Sequence, residues 1–229
     1  MFPGRHHSDP DHSEQLEAWD AGRLGYLRAA DVIELPVGEW LPPRDPPEPG
    51  HLGYLLAAGL VVREVTVAGA WSVELLDQGD LLRPWIEDAA SFVDAEWRVI
   101  EPARLVALDK RATRAARDSA GLIEDLVDRA MRRSRSMAVH AAISAIRRVE
   151  DRLLLLLWHV AERRGRVGPN GVEVSLPVTH ETLAHLVGAR RPSVTTALRC
   201  LEDRGALTRR RPGEWVLHGD PPSASGDVK

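Results

Sequence analysis

Between Leu176 and Gly219 the chain reads LPVTHETLAHLVGARRPSVTTALRCLEDRGALTRRRPGEWVLHG, and its polar residues are grouped to suit one kind of chemistry. Arg190, Arg191, Ser193, Thr195, Thr196 and Arg199 crowd one short stretch, and Arg209, Arg210 and Arg211 follow as an unbroken run. A guanidinium presents two parallel N–H donors, which match the O6 and N7 acceptors of guanine. Ser and Thr hydroxyls suit phosphate oxygens or base edges. Neighbouring arginines neutralise phosphates and release counterions. Together these residues form a candidate surface for double-stranded DNA.

Such side chains must be held on one face. Thr179 suits the N-cap of a helix running through Val187, with Leu183, Leu186 and Val187 as its apolar side, and it joins the candidate contact set. Gly188 can end that helix with positive φ. A second helix opens at Arg190-Arg191-Pro192, where a first-turn proline loses no hydrogen bond. Val194, Ala197, Leu198 and Leu201 give it one apolar stripe, beside which Cys200 reads as a core residue. Gly205 closes it. Ala206–Thr208 and Glu214–Leu217 then form a hairpin around Arg211-Pro212-Gly213. Two short helices about a glycine turn, followed by a hairpin, predict a winged helix-turn-helix. Its second helix would enter the major groove, with Arg191 contacting a base and Arg210 mainly a phosphate. The bland reading has the arginines merely solvating a helical hairpin. It is disfavoured because helix spacing, glycine turn and arginine placement coincide.

Composition agrees once charge is read by segment. The net charge is −4, but residues 148–219 carry 12 Lys+Arg against 8 Asp+Glu, a balance of +4. Residues 1–147 carry 17 against 24, or −7, and residues 220–229 contribute −1. The longest apolar run, Leu153–Trp158, is far below the about 18 residues of a membrane span. The polar start MFPGRHHSDPDHSEQ lacks the apolar region of a secretory signal. The single cysteine excludes an internal disulfide framework and suits a reducing cytoplasm.

Upstream, the texture from about Leu24 to Asp109 is that of short strands. Val32–Leu35, His51–Leu56, Leu60–Val67, Trp71–Leu76, Trp97–Ile100 and Arg104–Leu108 are the candidates, the last two separated by Glu101-Pro102. Gly and Pro punctuation between them suggests a β-roll. Proline is then absent from Ala103 to Gly168, and apolar residues from Leu122 to Ile146 recur at helical spacing, with a break near Gly121. So long an apolar face, with little chain left to cover it, suits pairing with a second copy; packing on its own roll is the alternative. Val149–Arg163 is another helix. The expected organisation is an α+β chain: a tail at 1–18, a β-roll at 19–110, a dimerisation helix at 111–147, a winged helix-turn-helix at 148–219 and a tail at 220–229.

With these residues in view, the chain resembles the Crp/Fnr family. Thr179-His180-Glu181-Thr182-Leu183-Ala184, Val187-Gly188-Ala189, Arg191, Val194, Leu198, Leu201-Glu202-Asp203 and Gly205 match that family's helix-turn-helix signature. Val149-Glu150-Asp151-Arg152-Leu153 resembles the opening of its DNA domain, and Leu75-Leu76-Asp77-Gln78-Gly79-Asp80 the turn before its phosphate-binding segment. The resemblance covers about residues 24–219 and is weak in the roll. It implies a homodimer on a near-palindromic operator, with Arg191 at the guanine-reading position. Pro192 and Thr196 stand where the family places an acidic residue and a further arginine, so the operator should differ from the cyclic-AMP receptor's. RNA polymerase and a small-molecule effector are further partners the resemblance implies; no membrane is.

The family's cyclic-nucleotide site uses a Gly-Glu pair and an Arg-Ser or Arg-Thr pair. Here Leu81–Asp88 and Ser91–Arg98 contain neither. Glu87, Asp88, Asp94 and Glu96 would repel a phosphate, and Met137 and Ala138 stand where the receptor offers hydroxyls to the base. The expectation is an effector other than cyclic AMP, or none, with Arg83 and Trp85 as candidate contacts. No metal or other cofactor is expected: His6, His7 and His12 read as a solvated tail, and His51, His140 and His159 are scattered. An enzyme is disfavoured, since the sequence has no phosphate loop, no His-Glu-x-x-His and no nucleophile elbow. The remaining alternative is a sensing or interaction module whose winged helix no longer binds DNA.

Overall fold

The computed structural model of the chain describes residues 31–85, 93–118 and 120–222. The expected tail at 1–18, Glu87, Asp88 and residues 223–229 lie outside the described residues.

Among the described residues, six strands build the first sheet: β1 (Val32–Leu35), β2 (Gly38–Trp40), β3 (Gly53–Val67), β4 (Ala70–Asp77), β5 (Leu81–Leu82) and β6 (Val93–Leu108). All pairings are antiparallel. β6 and β3 form the centre, β1 and β2 border β6, and β4 and β5 border β3. The sequence suggested separate strands on either side of Ala57-Ala58-Gly59 and of Glu101-Pro102; each pair is instead one long bent strand. Gly59 supplies the reason. It has φ +94°, and a side chain there would stand 2.4 Å from the Pro102 carbonyl oxygen, so only glycine lets the proline bulge pass. The pairing shifts at this point, from Leu56 opposite Leu105 to Val61 opposite Val99. The shift moves the inward side chains from even to odd positions: Tyr54 and Leu56 before it, Val61 after it. They enclose the roll's core with Leu76, Leu82, Trp85, Trp97 and Leu105.

Three helices follow: α1 (Lys110–Asp118), α2 (Ala120–Ser144) and α3 (Val149–Arg164). The break expected near Gly121 falls between α1 and α2. α2 has two faces. Leu122, Asp125, Arg129 and Ile143 are buried, with Arg133, Ser136 and His140 half-buried between them. The Arg129–Asp125 pair, at 2.7 Å, is buried on both sides. Ile123, Val127, Ala130, Ser134, Met137, Ala141 and Ser144, spaced alternately by four and three, are exposed. Where α2 meets α3, Ser136 Oγ lies 3.0 Å from His159 Nε2. The His140 and His159 rings are 5.4 Å apart, and burial, with His159 beside it, pushes His140 down to about 4.

The last unit sets α3, α4 (His180–Leu186) and α5 (Arg191–Asp203) against a second sheet. That sheet runs β7-β8-β10-β9, from β7 (Arg166–Gly168), β8 (Gly171–Ser175), β9 (Leu207–Arg211) and β10 (Glu214–Leu217). Leu153, Leu156, Leu157, Leu183, Val194, Leu198, Leu201, Trp215 and Leu217 share its core. Leu60, Val62 and Val73, on the outer face of the roll, belong to the same cluster, so the winged unit is packed on the roll. The α+β architecture of β-roll, long helix and winged helix-turn-helix is as the sequence indicated. Among the described residues no helix is long and apolar enough to cross a membrane.

Candidate nucleic-acid interface

Both helices of the helix-turn-helix are fixed by local chemistry. Thr179 caps α4: its Oγ1 accepts the Thr182 amide at 3.1 Å. Gly188, at φ +60°, ends the helix; its amide donates to the His185 carbonyl and the Ala189 amide to the Ala184 carbonyl. The Gly205 and Ala206 amides close α5 the same way, onto Glu202 and Leu201. These are Schellman closures, which satisfy carbonyls that a helix end leaves unpaired. The N-cap residue of α5, Arg190, makes no side-chain cap. The free amides at this end, with the helix dipole, favour an anion.

Val194, Ala197, Leu198 and Leu201 are buried as the stripe requires. Arg190, Arg191, Ser193, Thr195, Thr196 and Arg199 are all exposed. Two hydroxyls are partly engaged. Thr195 Oγ1 donates to the Arg191 carbonyl at 3.3 Å and lies 3.2 Å from His180 Nδ1; Thr196 Oγ1 donates to the Pro192 carbonyl at 3.2 Å. Cys200 corrects an expectation: it is exposed rather than in the core. It follows Ala197 by three positions and precedes Leu201 by one, which turns it just off the buried stripe.

Arg209, Arg210 and Arg211 are exposed on the wing but not equivalent. Pairing shifts between Glu214 and Trp215, which face Arg211 and Arg209, so Arg210 is the extra residue of a bulge. Its Nη1 lies 2.6 Å from Glu173 Oε1. Arg209 instead lies near His180, as does Arg191. Burial, then Arg209, then Arg191 hold His180 below its ordinary value of 6.5. The start of α4, the start of α5 and the wing therefore converge on one basic patch.

Residues 148–220 match the family model described as the Crp-like helix-turn-helix domain. Over 189 residues the chain is 24% identical to the regulatory protein CysR of Synechococcus elongatus, covering 78% of this chain and 90% of CysR. Residues 148–220 are a Crp-like helix-turn-helix domain. Solved structures share the fold over most of the chain. A CooA variant from Carboxydothermus hydrogenoformans superposes with a TM-score of 0.65 at 17% identity, covering 84% of this chain and 85% of that one. The c-di-GMP-responsive regulator CLP of Xanthomonas campestris gives 0.64 at 21%, covering 88% and 100%.

The roll is less open at the positions singled out for an effector. Trp85 is 4% exposed and packs edge-on to Tyr54 and His51, with centroids 5.8 and 5.2 Å away. Burial lowers the pKa of His51 and raises that of Tyr54. Exposed Arg83 lies over the Trp85 ring at 5.8 Å. Asp94 and Glu96, expected to face a bound phosphate, are strand residues. They belong to β6, opposite Thr66 and Glu64, because the strand begins at Val93. Ala138 is exposed, and Met137 borders the cavity between α2 and the roll that Arg133, Ser136 and His140 also line.

Proposed function

We propose that the protein acts as a homodimer on a near-palindromic operator, inserting α5 into the major groove. The observation that carries this reading is the simultaneous exposure of two surfaces. One is the α2 seam, where Ile123, Val127 and Met137 are 51%, 53% and 54% exposed. A 4-3 apolar repeat on an exposed face is the pattern that pairs helices. The other is the basic patch of α5 and the wing. A two-fold seam carrying two such patches matches two-fold DNA.

In this reading Arg190, Arg191, Ser193 and Arg199 face base edges and Arg191 reads a guanine. Thr179, Thr195 and Thr196 position the helices and meet backbone phosphates. Arg209 and Arg211 take phosphates, and the role the sequence suggested for Arg210 passes to Arg209, because Glu173 holds Arg210. The effector is a molecule other than cyclic AMP. The Gly-Glu and Arg-Ser pairs are absent from Leu81–Asp88 and Ser91–Arg98, and Trp85 fills the roll's core rather than lining an open site. Arg83 is the candidate contact for an anionic group. CLP, described as responsive to c-di-GMP, illustrates the same fold with a different ligand. Sedimentation equilibrium with and without a palindromic duplex tests the reading: a dimer that binds one duplex is expected, and a monomer at micromolar concentration contradicts it.

A further inference from the structure

The turn joining β4 to β5, Asp77-Gln78-Gly79-Asp80-Leu81, is held by arginines from two helices. From α2, Arg129 Nη1 donates to the Gly79 carbonyl at 3.1 Å and Arg133 Nη1 to the Leu81 carbonyl at 2.6 Å. From the last turn of α3, Arg163 Nη1 donates to both Asp80 carboxylate oxygens, at 3.1 and 2.9 Å, and its Nη2 to the Gln78 carbonyl at 2.7 Å. Arg164 Nη1 donates to Asp77 at 2.8 Å, and its Nη2 to both carboxylate oxygens of Glu101 at 2.6 and 2.7 Å. Asp80 is 2% exposed, and its Oδ2 also accepts the Asp77 amide at 2.8 Å. A side chain at Gly79 would stand 2.9 Å from Arg129 Nη1, so glycine admits the guanidinium.

One turn thus ties the seam helix to the first helix of the DNA-binding unit. Only residues 145–148 connect α2 and α3 along the chain. The apolar contact of Leu60, Val62 and Val73 with the winged unit supplies adhesion, but such contact is non-directional. Forked guanidinium bonds fix direction. A dimer reading two half-sites needs direction, since its recognition helices must lie about 34–36 Å apart.

We propose that Arg163 and Arg164 are positioning residues for operator recognition: they lock the DNA-binding unit to the Asp77–Leu81 turn and so set which half-site spacing the dimer accepts. The inference rests on the dimeric, operator-reading function proposed above. Neither arginine touches DNA in this account. They act through the angle between α2 and α3.

The test uses the full-length chain with Arg163→Gln and Arg164→Gln together, and three duplexes: the preferred palindrome, an isolated half-site, and the palindrome with an extra base pair between half-sites. The variant should bind the half-site within about twofold of wild type and lose about tenfold on the palindrome, because the second contact is no longer pre-positioned. Its penalty for the inserted base pair should shrink. If the folded variant keeps wild-type palindrome affinity and the full spacing penalty, the inference is wrong. Should the double variant fail to fold, Arg163→Lys carries the test, keeping the charge but not the fork. A reduced spacing penalty supports the proposal and an unchanged one overturns it. A wild-type chain that shows no preference between palindrome and half-site would overturn the functional reading as well.

Discussion

At the scale of single residues, DNA recognition would depend on where the guanidinium groups end up. Arg191 is exposed at the start of α5, and Arg191→Ala should cost about 1–3 kcal/mol on the preferred duplex and relax one position per half-site. Binding measured on single-base variants of the operator checks this. On the wing, Arg209→Ala should weaken all sequences alike and lower the salt slope by about one. Arg210→Ala should do less, because Glu173 already competes for that guanidinium. Salt titrations of both variants separate the two cases, and equal slopes would contradict the assignment. His180 adds a pH dependence. Burial, Arg209 and Arg191 hold its pKa below 6.5 in the free protein, whereas DNA phosphates beside it would raise it. Binding then takes up a proton, so affinity should rise as pH falls below 6.5, and His180→Gln should flatten that slope. Sequence exposed the arginine cluster but not this division of labour. The wing's bulge, which frees Arg209 and ties Arg210, depends on register that no local pattern announces.

Elements were legible where period decided them and illegible where an opposing strand did. α2, α3 and the helix-turn-helix follow from spacing and capping residues, and the structure places them where the pattern indicated. β3 and β6 looked like pairs of strands because glycine and proline interrupt their alternation; each interruption accommodates the other across the ladder. Cys200 was misplaced by the fraction of a turn that separates a helix flank from its buried stripe. Periodicity showed that α2 has an apolar face, but not that the face splits. Arg129, Arg133 and His140 serve the roll, while Ile123, Val127 and Met137 remain uncovered. That division makes a specific prediction. Ala138→Glu, on the uncovered side, should place an unpaired carboxylate in the dimer seam and shift the protein toward monomer without unfolding it. Sedimentation together with circular dichroism reads both parts. A folded dimer of unchanged affinity would move the seam elsewhere.

At the scale of the whole molecule, the roll and the winged unit are not separate bodies joined by a hinge. Residues of the roll share a core with the winged unit, Trp71 stacks on His185 with centroids 4.2 Å apart, and the Asp77–Leu81 turn is gripped from both helices. An effector that moved this turn would have to move the recognition helix, and by linkage operator DNA would change effector affinity by the same factor. Cyclic AMP is not expected to be that effector. Calorimetry at about a hundred micromolar nucleotide should show no binding, short of the millimolar affinities that would leave no signal. A low-micromolar constant abolished by Arg83→Ala would show that the loop has found another way to hold a phosphate. The central claim, a two-fold reader built on α2 and α5, is tested most directly by selecting bound duplexes from random DNA with the purified chain, and repeating the selection with Arg191→Ala. The account predicts an inverted repeat of fixed spacing whose information drops at one symmetric pair of positions in the variant. Selection of no motif, or of a single asymmetric site unaffected by Arg191→Ala, would contradict it.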